Sequence, residues 1–178
     1  TLFYSPIAWL ILVIFVFQVF GSFANLLEYT VNAKTLGQMQ GYQSYMLFVI
    51  GGFAPYTTIQ STLYLYIPLL TMGLMSREYS SGSIKLLFSS PISSLQIILG
   101  KYLSMLIYGL IMMGSVLVLV VVAFFSIKDF DLSLVLSGWL GLYLLMATYA
   151  AIGLFMSTLT SYQIIAALGT LTFISFLN

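Results

Sequence analysis

The run from Tyr102 to Phe125, YLSMLIYGLIMMGSVLVLVVVAFF, contains no charged residue and no proline. As a helix it would reach about 36 Å at 1.5 Å per residue. The hydrocarbon core of a bilayer is about 30 Å thick, so a helix of this length and polarity crosses it. A transmembrane strand would need polar and apolar residues to alternate over about ten positions. VLVLVVVAFF does not alternate, which excludes a β-barrel. In lipid a lone segment satisfies its own backbone only as a helix.

Four more apolar runs share this character: Pro6 to Ala24, Ile59 to Ser76, Leu132 to Met156 and Tyr162 to Asn178. The spacing predicts an all-α, polytopic transmembrane bundle with five spans. Ser5 is placed to cap the first span, and Pro6 suits a first helical turn, where its missing N–H has no partner to lose. Pro68 is expected to kink the second span. The fifth run has 17 residues, short of the roughly 20 a span needs. Starting at Thr1 and stopping inside an apolar run, the sequence reads as one transmembrane domain over 1–178, a piece of a longer protein.

Composition narrows the function. Of 178 residues, five are Lys or Arg and four are Asp or Glu, 5% in all, against roughly 25% in soluble domains. There is no Cys and no His, so disulfides, thiolate or imidazole metal sites and Cys nucleophiles are excluded. No charge falls in the middle of a span, which disfavours an ion-coupled carrier that must titrate a group there. Asp129 and Asp131 read as a solvated turn, and no glycine-rich loop ends in the Gly-Lys-Ser/Thr that grips phosphate. An enzyme is not expected, and no cofactor or metal in this chain. Small residues at Ala147, Ala150, Ala151 and Gly153 of the fourth span, and at Gly109 and Gly114 of the third, point to close helix packing.

Arg77, Lys85 and Lys101 bracket the connection between spans two and three, and basic residues in short loops mark the cytoplasmic side. The connection from Asn25 to Thr58 then lies outside. Its apolar stretch at 43–56 is too short to span and reads as interfacial, re-entrant or an extension of span two. Tyr42, Tyr45 and Tyr56 suit the headgroup level.

The cytoplasmic segment REYSSGSIKLLFSSPISSLQIILGK is the chain's wettest. Helical spacing from Ser83 sets Ile84, Leu87 and Phe88 on one face. Pro91 ends such a helix, because a proline disfavours helical backbone in the residue before it. Ser93 with Gln96 three residues later forms a capping box. A new helix then starts near Ser94, carries Leu95, Ile98 and Leu99, and runs through Lys101 into span three. Physics leaves two uses for the short helix: lying on lipid with basic anchors, or docking a cytoplasmic partner.

The same segment resembles ABC-2 type transporter permeases, in its Arg-Glu after span two, Gly-Ser, leucine pair, Pro-Ile-Ser and Gly-Lys. SPIAWLILVIFVF and GLYLLMATYAAIGLFMSTLTSYQIIAA are similar to spans of the gliding-motility-associated branch. The resemblance covers most of the chain apart from Asn25–Thr58. It implies a six-span permease in the cell membrane, here without an N-terminal interfacial helix and the last span. It implies a bacterial inner-membrane location, a dimer with a second copy or paralogue, and a separate ATPase that carries the ATP and Mg. It implies that segment 77–101 is a coupling helix, through Arg77, Glu78, Gly82, Ser83, Ile84, Lys85, Leu86, Leu87, Phe88, Pro91, Gly100 and Lys101. Lys85 departs from the pattern, which often has an acid there; a reversed charge at a docking surface changes partner preference. The expected function is the membrane subunit of an ATP-driven exporter. The alternative is a structural anchor in a secretion or motility assembly.

Overall fold

The computed structural model describes residues 6–35, 55–83, 93–126 and 132–177. All regular structure among them is helical: α1 (Pro6–Thr35), α2 (Pro55–Thr71), α3 (Ser76–Ser81), α4 (Ser94–Ser126), α5 (Leu132–Leu159) and α6 (Gln163–Leu177). Among the described residues three helices are long and apolar enough to cross a membrane, within Pro6–Asn25, Ser94–Phe125 and Val135–Leu159. α2 and α6, with 17 and 15 residues, are shorter apolar companions.

The long helices form a ring. α1 packs on α2, α2 on α5, α5 on α4, and α4 on α1; α6 fills the outer groove between α2 and α5. α5 packs on α2, α4 and α6 while Leu136, Leu140, Leu144 and Phe155 stay exposed, so its hydrophobicity runs around the whole helix, as a helix between protein and lipid requires. Phe15 and Val19 of α1, Ile59, Leu63 and Ile67 of α2, Met105, Met112 and Met113 of α4, and Met146 of α5 form one fully buried core.

Hydroxyls and an indole tie the ring where packing brings them to carbonyls. Tyr108 of α4 donates to the Ala8 carbonyl of α1 at 2.6 Å. Trp139 Nε1 of α5 donates to Met113 of α4 at 2.9 Å, and Tyr102 of α4 donates to Ala147 of α5 at 3.2 Å. Tyr66 of α2 donates to Gln18 Oε1 of α1 at 3.0 Å. Such bonds contribute on average about 0.6 kcal/mol each in lipid, so they set register more than they supply stability.

Glycines let α5 approach its neighbours. A Cβ at Gly109 of α4 would overlap the sulfur and methyl of Met146, the movable end of a flexible chain. A Cβ at Gly153 of α5 would stand 2.7 Å from Cβ of Thr71, which cannot swing away. The expected packing role therefore holds at Gly109 and Gly153 and fails at Gly114, which faces open space, and at Ala151, which is exposed while Ala150 is buried.

Two expected boundaries move. α1 continues past Ala24 to Thr35 because the sequence there loses hydrophobicity without gaining a helix breaker. The first part of the expected outer connection, residues 25–35, is thus a helical extension bearing Glu28. Residues 36–54 lie outside the described residues, and with them the question of a re-entrant 43–56. In span two, the helix runs unbroken through Pro68 and is interrupted at Met72–Met75.

Candidate functional site

The ends of α2 and α5, the starts of α1, α4 and α6, and the whole of α3 gather at one end of the bundle. α2 stops with a helical bond from Met72 N–H to the Pro68 carbonyl, then a tighter one from Leu74 N–H to Thr71. Gly73, a weak helix former, sits in the gap. The first turn of α3 leaves amide N–H groups that need acceptors. Ser157 of α5 supplies one from across the bundle. Its Oγ accepts from Met75 N–H at 3.0 Å and Ser76 N–H at 3.1 Å, and donates to the Met72 carbonyl at 3.0 Å. Ser157 is fully buried. One hydroxyl therefore satisfies both edges of the break.

Thr71, one residue before the break, is also fully buried; its Oγ1 donates to the Ile67 carbonyl at 2.9 Å. The absence of a side chain at Gly153 makes room for it. Four residues beyond Gly153, on the same face of α5, comes Ser157. One stripe of α5 thus receives the end of α2 and the start of α3.

The far side of α3 is tied to α4. Lys101 Nζ lies 2.5 Å from Glu78 Oε1, with both side chains largely shielded. The same ammonium donates to the Leu74 carbonyl inside the break. Glu78 Oε2 is buried and has no hydrogen-bond partner among the described residues. Lys101 thus ties α4 to both α3 and the break.

α3 ends at Gly82, whose φ of 73° is the left-handed region that glycine enters at little cost; its N–H bonds to the Tyr79 carbonyl. The chain resumes at the expected capping box. Ser93 N–H donates to Gln96 Oε1 at 3.1 Å, and Gln96 N–H donates to Ser93 Oγ at 3.4 Å. From there α4 runs unbroken through Gly100 and Lys101 to Ser126, as the sequence indicated.

Of the expected coupling residues, the structure brings Glu78 and Lys101 together. It leaves Arg77 exposed, its guanidinium beside Gln163 across Gly73. A cleft of about 730 Å³ opens there, lined by Arg77, Glu78 and Ser83 on one wall and Ile7 and Leu69 on another. Gly82 is the turn and Ser83 follows it. Ile84, Lys85, Leu86, Leu87, Phe88 and Pro91 lie outside the described residues. Ser157 and Thr71 were missed in the sequence, because a lone hydroxyl in an apolar run carries no signal of its partner. The Gly153 to Ser157 spacing of four, one helical turn, was the available hint.

Among the described residues no group of three or more metal-ligating side chains occurs. The chemistry on hand is that of a polar joint: an interrupted helix, a bridging hydroxyl and an ion pair.

Neither curated proteins nor solved structures give a match to this chain. A comparison with protein families matches residues 1–178, the entire chain, to the ABC-2 family transporter protein. With its membrane-length apolar helices, the chain is an integral membrane permease belonging to the ABC-2 transporter family.

Proposed function

We propose that this chain couples a cytoplasmic ABC ATPase to export across a bacterial inner membrane, as one half of a permease dimer of the gliding-motility-associated branch. ATP and Mg are held by the ATPase, and no chemistry occurs in this chain. The observation that carries the reading is the joint between α2, α3 and α4. The segment 83–93 connects α3 to α4, and Glu78 and Lys101 clamp those two helices to each other. A push on that segment moves α3 and the foot of α4 together. The load then enters the break at Met72–Met75, held to α5 by Ser157. Switching access becomes a shift between two arrangements of α2 against α5, driven by the ATPase's preference for one of them.

In this reading Ile84, Leu87 and Phe88 fill an apolar socket on the ATPase, Arg77 and Lys85 meet its acidic rim, and Gly82 and Pro91 bound the lever. The test is Leu87→Asp. A charge placed in an apolar socket costs several kcal/mol, so the variant is expected to insert normally yet fail to co-purify with the ATPase or stimulate it. Wild-type binding and stimulation would mean that the segment lies on lipid. Lys85→Glu is expected to change which ATPase is accepted and leave stability alone. An ATPase rate that responds to no cargo would favour the structural anchor instead.

A further inference from the structure

The cleft of about 730 Å³ beside the break changes chemistry from one wall to the other. Ile7 and Leu69, both exposed, face it from the start of the α1 span and the end of α2. Arg77, Glu78 and Ser83 line it from α3 and the turn that follows, and Gln163 from the start of α6. Small-molecule sites occupy about 300–1,000 Å³, and this volume falls inside that range.

Charge at the cleft does not cancel. Glu78 Oε1 lies 2.5 Å from Lys101 Nζ, so that carboxylate is neutralised from α4. Arg77 makes no ion pair among the described residues. Two cations against one anion leave one positive charge, and Arg77 carries it. Its guanidinium is held against the wall. Nε and Nη2 lie 3.9 and 4.0 Å from where a Cβ on Gly73 would stand, and Gln163 Oε1 lies 3.9 Å from the same point. A guanidinium and a carboxamide thus flank bare backbone, with space between them that a side chain at residue 73 would take. The guanidinium offers paired N–H donors that fit phosphate oxygens, and the carboxamide adds donors of its own.

We infer that this cleft holds one anionic phospholipid, its phosphate on Arg77 and Gln163 and its acyl chains along Ile7 and Leu69. The proposed orientation places the cleft in the cytoplasmic leaflet, where basic pockets between membrane helices take acidic headgroups. A water-soluble anion would satisfy Arg77 and leave Ile7 and Leu69 uncovered. A zwitterionic headgroup brings its own ammonium, so the surplus positive charge remains; a singly negative headgroup removes it. The proposed coupling also gives Arg77 an acidic partner on the ATPase. Lipid and ATPase are then alternative partners of one guanidinium, and the lipid site is read before any ATPase is added.

The full-length permease, purified in detergent, is titrated with dioleoyl phosphatidylglycerol, dioleoyl phosphatidylethanolamine or inorganic phosphate, and retained ligand is counted by native mass spectrometry. One phosphatidylglycerol per chain should be retained in preference to phosphatidylethanolamine. Arg77→Gln should weaken phosphatidylglycerol binding roughly tenfold, the factor a hydrogen bond to a charged group is worth, and remove the preference. Arg77→Lys keeps the charge without the paired donors and should fall between. Should Arg77→Gln fail to fold, as judged by its thermal unfolding midpoint, Gln163→Leu leaves the charge in place and is expected to weaken phosphatidylglycerol as well. Equal retention of the two lipids by wild type, or phosphatidylglycerol binding untouched by either substitution, would mean an ordinary lipid annulus and overturn the inference. Inorganic phosphate held as firmly as phosphatidylglycerol would make this a soluble-anion site, and lipid held by single chains but expelled from dimers would give the cleft to a second copy; each also overturns it. A permease that binds the lipid and stimulates no ATPase would undo the proposed function and leave this site standing; the reverse result would sink the site alone.

Discussion

The α4–α5 pair and the α2–α3 joint lie side by side in one bundle and are held in opposite ways. α4 and α5 are continuous helices of 33 and 28 residues, joined by interleaved apolar side chains and by hydrogen bonds from Trp139 and Tyr102 to carbonyls. Those carbonyls already serve the helix, so each added bond is a supplement. At the joint the helix itself is open. The bonds from Ser157 and Lys101 replace backbone pairing that Met72–Met75 lacks. Losing a supplement costs little; losing a replacement leaves a buried donor, acceptor or charge with nothing. The pair suits a fixed wall, and the joint suits a place where shape changes.

Mutations can sharpen or break that contrast. The largest effect is expected from Lys101→Met, which strips Glu78 of its counter-charge and frees the Leu74 carbonyl. For a shielded pair with some solvent access the loss should be about 2–3 kcal/mol, read as a lower midpoint of thermal unfolding in detergent. Adding Glu78→Gln should recover much of it, because the stranded charge is removed as well. Next comes Gly153→Ala, where the new Cβ meets Cβ of Thr71 at 2.7 Å. Overpacking of this kind costs about 1–3 kcal/mol; the same assay measures it. Ser157→Ala should cost about 1–2 kcal/mol for two amides left without an acceptor. Its clearer mark is local: hydrogen exchange should quicken at Met75 and Ser76 and stay slow in α4. The smallest effect belongs to Gly114→Ala. The site is open, and alanine is the better helix former, so stability should hold or rise by up to about 1 kcal/mol. If Gly114→Ala destabilised as much as Gly153→Ala, the contrast between wall and joint would fail.

Much of this was readable in the residues, and the pattern of success has a physical cause. The spans declared themselves because lipid demands long uncharged runs. The start of α4 was legible at Ser93 and Gln96, since a capping box is written in four consecutive residues. The sequence pointed to a kink at Pro68, and α2 runs on through that residue without a break. A proline inside a membrane helix loses one backbone bond and can be absorbed by its neighbours. The interruption came instead at Met72–Met75, where a second helix brings Ser157. Sequence shows local chemistry well and partners from distant segments poorly. Glu78 and Lys101 were both singled out through family resemblance, yet only the fold pairs them. The continuation of α1 to Thr35 was hidden for another reason: hydropathy reports where the membrane ends, and a helix ends where its caps and breakers are.

We propose that Glu78 and Lys101 transmit force as one unit between segment 83–93 and the break. It is tested most directly by a double-mutant cycle read on ATP hydrolysis in reconstituted vesicles. Glu78→Gln, Lys101→Met and the double variant are compared with wild type for stimulation of the partner ATPase. If the pair acts as a unit, each single variant should lose most of the stimulation, and the double should lose no more than the worse single, a clear departure from additivity. Losses that simply add, or stimulation unchanged in all three, would contradict it, leaving the ion pair as a fastening of the fold with no part in coupling.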